Sequence, residues 1–525
     1  MSIAKNINVL VQSRQPYSVE LITLLNKRYG WQPKIWLTDY NSDSQIKRVF
    51  PEVKTLPYVK SVKGFSIYSE SLLNRVQLDD DLLQYMQSFR SIAFFMMNRN
   101  DSEASFSIEQ KSAFFSRLIR IWIKTLELTQ VEVIMFEEEP HQTSDYVLYL
   151  VCQYKRIQTI MFRRVFFQDR IYAVKNFTDT PGNDQAKSPK YDEEVSDEIM
   201  SPFLQDHFNA ISSKYYHKVQ ALSLWNVEEY SNKKTENILN IIQDFKKRYS
   251  FLIDILLNRY ENDQKEKKSE IYRSNMSYFH LRRNMKKARL KNHILREYYC
   301  SKTIEPPNIE REPYVYFPLH YQPERTTCPL GGKFVQQEIV IEYLLKSLPA
   351  EWKIYVKEHP RQYSNSNTKY SNSGRSRNYY DKIIGNDRVR LLPFESNSFK
   401  LIDESICVAT VTGTVGWEAI IRGKYVMVFG YPWYLGCEGI FETRSPNEIE
   451  KALITINSGK KPNIEKVKHF ATNVENNTVV GAVGGIHNLE RKGLNTLDNA
   501  RAHFEALVHM EDLIDARDNN EAELL

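Results

Sequence analysis

Two groups of residues in this chain have the types and spacing to do chemistry. The first is an acidic turn, Glu137-Glu138-Glu139-Pro140-His141, placed directly behind the β-branched run Val131 to Phe136. A carboxylate or imidazole at the end of such a strand can take a proton from a hydroxyl; a solvated acidic turn ahead of a helix is the plain alternative. The second group is spread over three short motifs: His320-Tyr321-Gln322-Pro323-Glu324-Arg325, Lys357-Glu358-His359-Pro360, and Thr412-Gly413-Thr414-Val415-Gly416-Trp417-Glu418. Pro360 blocks immediate helix continuation and holds His359 at the strand end, where an imidazole can steady a departing phosphate. Around Thr412 to Thr414, hydroxyls, backbone N–H groups and a helix N-terminus converge on an anion. Singly these motifs are ordinary: a strand-end histidine is most often structural, and Thr-Gly-Thr alone is a helix cap. Together they are more specific. Glu418, one turn into the helix, reads either as a partner for a ribose hydroxyl or as a charged first-turn residue.

The elements that must position these groups alternate between strand and helix. Tyr314 to Leu319, Trp352 to Val356, Arg388 to Leu392 and Cys407 to Val411 read as strands, with an amphipathic helix over Gln336 to Leu348. The N-terminal part opens similarly: strand Ile7 to Val11, a helix with Val19, Ile22 and Leu25 on one face, capped by Ser18 and ended by Gly30, then strand Lys34 to Leu37. Ser107 with Gln110 marks a second helix start, and Ser144 or Asp145 is expected to cap a helix from Tyr146. The fold class is therefore α/β with parallel, doubly wound sheets, whose ligands bind beyond the carboxyl ends of the strands. The opening βαβ lacks a GxGxxG loop and is not read as a dinucleotide site. Asp79-Asp80-Asp81 follows no strand pattern, reads as a helix N-terminus, and leaves no metal site expected.

The 525 residues exceed what one compact core usually holds. The expected division is residues 1–177, an N-terminal Rossmann-like domain; 178–310, a linker and basic helical insert; 311–470, a C-terminal Rossmann-like domain; and 471–525, a helical tail. A formal charge of +6 is too small to name nucleic acid as a partner, and no nucleic-acid-binding signature is present. The five scattered cysteines contain no CxxC pair, so reduced thiols and a cytoplasmic location are expected. No stretch resembles a signal peptide or membrane span. The densely basic residues 265–296, including Arg282, Arg283, Lys286 and Lys287 with interleaved tyrosines, either contact anionic lipid headgroups at a membrane surface or form a solvated face.

Tyr316-Phe317-Pro318-Leu319-His320-Tyr321-Gln322-Pro323-Glu324, Val356-Lys357-Glu358-His359-Pro360 and Thr412 to Ala419 resemble the capsular polysaccharide biosynthesis proteins, a group that includes bacterial Kdo transferases and is similar in layout to polysialyltransferases. The resemblance covers Tyr314 to Gly439 firmly and Ile7 to Phe162 more weakly. It implies a GT-B architecture, two Rossmann-like domains facing across a cleft with a helical insert. The implied activity is inverting, metal-independent glycosyl transfer from a nucleotide-activated sugar, a CMP-sugar, to a glycan or lipid-linked acceptor, without a cofactor. Carried over, His359 and Pro360 match the motif that meets the nucleotide phosphate, and Thr412, Gly413, Thr414 and Gly416 match the phosphate turn, with Glu418 beside it. The acidic motif of the sialyltransferases, two acids then glycine, is matched loosely by Glu138-Glu139-Pro140, where proline stands for glycine; Glu139, Glu138 and His141 compete as the base. Arg14, His320, Gln322, Glu324, Arg325 and Lys357 complete the expected cleft. A UDP- or GDP-sugar donor, a glycerol- or ribitol-phosphate transferase, and a non-catalytic partner in an assembly complex remain open.

Overall fold

The computed structural model describes residues 6–38, 43–58, 68–100, 106–167, 169–181, 200–213, 278–305, 312–322, 326–363, 374–484 and 493–510. Strands β1 (Ile7–Gln12), β2 (Trp31–Thr38), β3 (Lys54–Pro57), β4 (Val133–Phe136), β5 (Gln158–Val165) and β6 (Arg170–Val174) lie in the order β6-β5-β4-β1-β2-β3. All pair in parallel except β6, which runs antiparallel to β5. A second sheet joins β7 (Tyr314–Pro318), β8 (Lys353–Lys357), β9 (Val389–Leu392), β10 (Cys407–Thr410), β11 (Val426–Val428) and β12 (Ile440–Glu442) in the order β12-β11-β10-β7-β8-β9, all parallel. In each sheet the chain builds outward from a central strand and then crosses to the other side. The strand order therefore reverses between β1 and β4 and again between β7 and β10, the positions at which sheets of this kind leave a crevice for ligand.

The sequence explains the elements locally. Tyr314 to Phe317 are wholly buried, as a central parallel strand covered by helices on both faces requires. Helix Tyr17–Tyr29 buries Val19, Leu21, Ile22 and Leu25, and Gly30 ends it in the left-handed region at φ 71°, donating its N–H to Asn26. Ser18 is not its cap: the helix starts at Tyr17, and the Ser18 hydroxyl lies 2.5 Å from that of Ser13. Helix Ile108–Thr129 carries the expected capping box of Ser107 and Gln110. Asp79 caps helix Asp80–Gln87. Helix Thr143–Tyr154 begins earlier than expected, and its N-cap Gln142 makes no side-chain bond, so Ser144 and Asp145 stand inside the first turn.

The two sheets are tied together by segments that return across the boundary. Strand β13 (Val479–Val480) runs antiparallel to β6, and helix Thr496–Val508 packs on helix Tyr17–Tyr29, with the His503 ring tilted against Tyr17 and edge-on to Phe162. Helix Pro202–Ser212, capped by Ser201, lies on helix Thr414–Ile421, where the Trp417 indole donates to His207. Of the basic stretch, residues 265–277 lie outside the described residues; the rest opens helix Tyr278–Lys302, which buries Leu295 and Tyr299 in the second sheet's core. Glu324 and Arg325 also lie outside the described residues. The five cysteines are free thiols. Among the described residues no helix is long and apolar enough to cross a membrane.

Candidate functional site

At the β7/β10 reversal, His320 and the Thr412 turn are joined directly. His320 Nε2 accepts the backbone N–H of Thr412 at 3.1 Å and lies 3.4 Å from the Thr410 hydroxyl, which in turn accepts the Gly413 N–H at 3.1 Å. Gln337 fixes His320 from the other side, accepting its N–H and donating to its carbonyl. Burial, with the charges of His359 and Arg375 nearby, pushes the His320 imidazole down to about 3. The ring is neutral, its lone pair is on Nε2, and its proton is on Nδ1. Two atoms here remain buried without a partner among the described residues: His320 Nδ1 and the Thr412 hydroxyl, on side chains 7% and 9% exposed. Orphaned polar groups cost about 1–3 kcal/mol each in a folded protein, a cost that a ligand or water reaching the turn would relieve.

Two glycines let the turn close. A Cβ on Gly413 would sit 3.0 Å from both His320 Nε2 and Thr410 Oγ1; one on Gly416 would meet the Tyr434 hydroxyl at 2.4 Å. That hydroxyl donates to the Gly413 carbonyl, locking the start of helix Thr414–Ile421 from above. The helix leaves its first N–H groups directed at the crevice. Glu418 is buried one turn on, and its charge is felt by Lys357, Tyr316 and Tyr434. Burial lowers the Lys357 ammonium to about 8 against the pull of Glu418; Lys357 donates to the Ser396 carbonyl and the Ser398 hydroxyl.

The Lys-Glu-His-Pro motif divides into two jobs. Glu358 is fully buried, paired with Arg375 at 2.6 Å and accepting from Tyr380, while its own N–H goes to Tyr299. Arg375 also donates to the His320 carbonyl, so this ion pair fixes the β7 and β8 ends relative to each other. His359 donates its backbone N–H to Glu358, stands half-buried with its ring 6.1 Å from that of Tyr321, and opens the turn Pro360–Tyr363. The Gln362 side chain accepts the Gln322 backbone N–H and donates to the Gln322 carbonyl, while the Gln322 side chain donates to the Thr327 hydroxyl.

At the β1/β4 reversal the buried group is Glu137, 3% exposed. It accepts from the Ser13 hydroxyl, the Arg14 N–H and the Arg14 guanidinium at 3.0, 2.9 and 3.4 Å. Arg14 lies 4.6 Å over the Tyr58 ring and keeps a third of its side chain exposed at the mouth of the crevice. Tyr58 donates to Asp145, which is 2% exposed; burial raises the Asp145 carboxyl to about 7 against the Tyr58 hydrogen bond, with Glu137 adding to the rise.

The rest of the acidic turn separates by partner. Glu139 pairs with Arg163 at 3.1 Å, and the same guanidinium donates to the Tyr431 carbonyl of the second domain at 2.9 Å. The carboxyl ends of the two sheets thus meet at Arg163. Glu138 lies 3.5 Å from His141 Nδ1, which is 3.0 Å from the Glu139 carbonyl. That carbonyl can only accept, so Nδ1 carries a proton, and in the neutral ring the lone pair is then on Nε2. Sequence reasoning missed Tyr58, Asp145, Glu358 and Arg375 as parts of the two reversals. Arg375 sits next to a Ser/Asn-rich stretch that reads as loop, and nothing in its local pattern signals a buried ion pair.

Two doubly wound units whose strand ends meet across a cleft define a GT-B-like protein. Residues 249–458, which contain the whole second sheet, match the family model described as capsule polysaccharide biosynthesis protein. The capsule polysaccharide modification protein LipA of Neisseria meningitidis serogroup A is 32% identical over 93 residues, 18% of this chain and 12% of LipA. The chain thus aligns with only about an eighth of the curated relatives' length. Among solved structures, the Thermosulfurimonas dismutans KpsC β-Kdo 2,7 transferase covers 89% of this chain and 99% of its own at 9% identity and TM-score 0.27. The UDP-GlcNAc 2-epimerase of Methanocaldococcus jannaschii covers 90% and 100% at 11% identity and TM-score 0.23. At TM-scores this low the likenesses carry nothing about the site.

Proposed function

We propose that this chain is a glycosyltransferase of surface or capsular polysaccharide synthesis, moving a sugar from a nucleotide-activated donor, a CMP-sugar, to a glycan or glycolipid acceptor with inversion. The observation that carries this reading is the turn at Thr412: a neutral His320 holds its backbone, while the Thr412 hydroxyl, His320 Nδ1–H and the N-terminus of helix Thr414–Ile421 offer donors to one anion. The family of residues 249–458 supports the biosynthetic context, and the resemblance supports the CMP donor.

In this mechanism the donor phosphate rests on the Thr412 turn with His359 beside it, and Glu418 faces the ribose. His141, oriented by Glu138 and the Glu139 carbonyl, takes the acceptor hydroxyl's proton at Nε2. The acceptor oxygen forms the new glycosidic bond as the sugar carbon's bond to the phosphate oxygen breaks, and the electron pair leaves on the nucleotide phosphate. Glu139 serves Arg163, and Arg14 with Glu137 lines the acceptor wall. The chain works at the cytoplasmic face of the membrane, and the charge of residues 265–296 supports a peripheral contact there.

The test is product mass after incubation with CMP-, UDP- and GDP-sugars and with CDP-polyols, using capsular oligosaccharide acceptors. Mass gain by one sugar from a CMP donor supports the reading. Gain by a polyol phosphate would assign the chain to polyol-phosphate transfer, and no turnover with any donor would make it a non-catalytic partner.

A further inference from the structure

Beside the donor crevice, between the domains, lies a cavity of about 210 Å³ that the proposed chemistry does not use. Phe95, from helix Arg90–Asn100 of the first domain, forms one wall; Gln336, Glu338, Ser376 and Tyr379 of the second domain form others. Its size decides much about its occupant. It falls below the roughly 300–1,000 Å³ of pockets that take drug-sized ligands. A nucleotide is too large; one monosaccharide ring is of the right order.

The chemistry of the walls narrows the class further. Among the described lining residues the one guanidinium, Arg375, is already matched by Glu358 and two carbonyls, so these residues offer no uncommitted positive charge to hold an anion. An apolar ligand would bury amides and a carboxylate without partners. What remains is a neutral ring with one apolar face and several hydroxyls. Phe95 supplies a flat apolar surface. Gln336 makes no side-chain bond to the helix it precedes. The Tyr379 hydroxyl is a buried atom without a partner among the described residues, and Arg375 stacks 4.6 Å over that same ring, fixing its position.

We propose that this cavity is a subsite for a neutral pyranose of the acceptor glycan, one residue removed from the reacting hydroxyl. The identity of that glycan as an acceptor rests on the glycosyl-transfer reading; the binding of the sugar ring does not.

The experiment is saturation-transfer NMR on the full chain with the methyl glycosides of glucose, galactose and N-acetylglucosamine, with inorganic phosphate as the charged control and CMP added at the end. At least one pyranoside should bind saturably, CMP should leave it in place, and phosphate should not compete. Phe95→Ala should weaken that binding at least tenfold. Because Phe95 also packs on the first core, Tyr379→Phe and Gln336→Ala serve as the mild variants, each expected to lower affinity threefold or more with an unchanged melting curve. No pyranoside binding, binding unchanged in all three variants, or displacement by CMP or phosphate would overturn the subsite. CMP failing to bind while a pyranoside does would count against the donor reading alone.

Discussion

His320 Nε2 accepts the backbone N–H of Thr412 across the reversal of the second sheet at 3.1 Å. One imidazole thereby fixes the backbone of a turn 92 residues away. The ring must stay neutral to accept that bond, and its burial keeps it so down to about pH 3. The histidine is thus part of the frame of the Thr412 turn, while His359 stands half-buried at the neighbouring strand end.

The base assignment predicts that His141→Gln and Glu138→Gln each lower kcat by about 10²–10⁴. Nucleotide affinity should not change, and the rise of rate with pH on the acid limb of the profile should vanish in His141→Gln. Glu139→Gln should cost far less at saturating substrate. Initial rates with a CMP-sugar settle the order; a Glu139→Gln effect larger than that of Glu138→Gln would contradict the assignment.

Asp145 predicts a pH-dependent stability change. Folded, it keeps its proton up to about 7, whereas an unfolded aspartate ionises near its ordinary value of 3.8. Within that window the folded state binds the extra proton, so stability falls as pH rises. Asp145→Asn still accepts from Tyr58 and cannot ionise. It should be the more stable protein at pH 8, by a few kcal/mol at most, with the advantage fading towards pH 4. Thermal melts at the two pH values check this, and a constant difference would refute it.

Arg163→Ala should loosen the junction between the sheets. It leaves Glu139 unpaired and the Asp179 and Tyr431 carbonyls without their donor. Breaking a buried pair costs about 3–5 kcal/mol; Glu139 is 26% exposed, which places the expected loss at the lower end. Chemical denaturation should show that loss, with kcat falling more than nucleotide affinity.

Gly416→Ala should damage the donor side specifically, since the new methyl would overlap Tyr434. Overpacking of this kind costs about 1–3 kcal/mol. Weaker nucleotide binding is expected, with acceptor binding intact; unchanged nucleotide affinity would show that Tyr434 moves aside freely.

Much of this was legible in the sequence because it depends on short-range pattern. Apolar runs behind which polar motifs sit gave the strand ends, and hence the neighbourhood of Glu137 to His141, His359 and Thr412. What stayed hidden depends on contacts between distant segments. Nothing local shows that Glu139 is committed to Arg163, that Glu358 is buried against Arg375, or that Asp145 stands inside a helix rather than capping it. Val479 to Leu507 read as a tail, yet that stretch adds a strand to the first sheet and a helix to its face. A two-residue strand carries no periodicity to detect.

The central claim is that the Thr412 turn holds the donor's phosphate, and titration calorimetry with CMP on the parent chain and on Thr412→Val tests it most directly. Valine keeps the side chain's shape and removes only the hydroxyl. CMP is predicted to bind the parent and to bind Thr412→Val about tenfold more weakly, a loss of about 1.4 kcal/mol, with the melting temperature unchanged or raised because a buried unpartnered hydroxyl is gone. Equal affinity in the two proteins, or no binding of CMP or any other nucleotide to the parent, would contradict it.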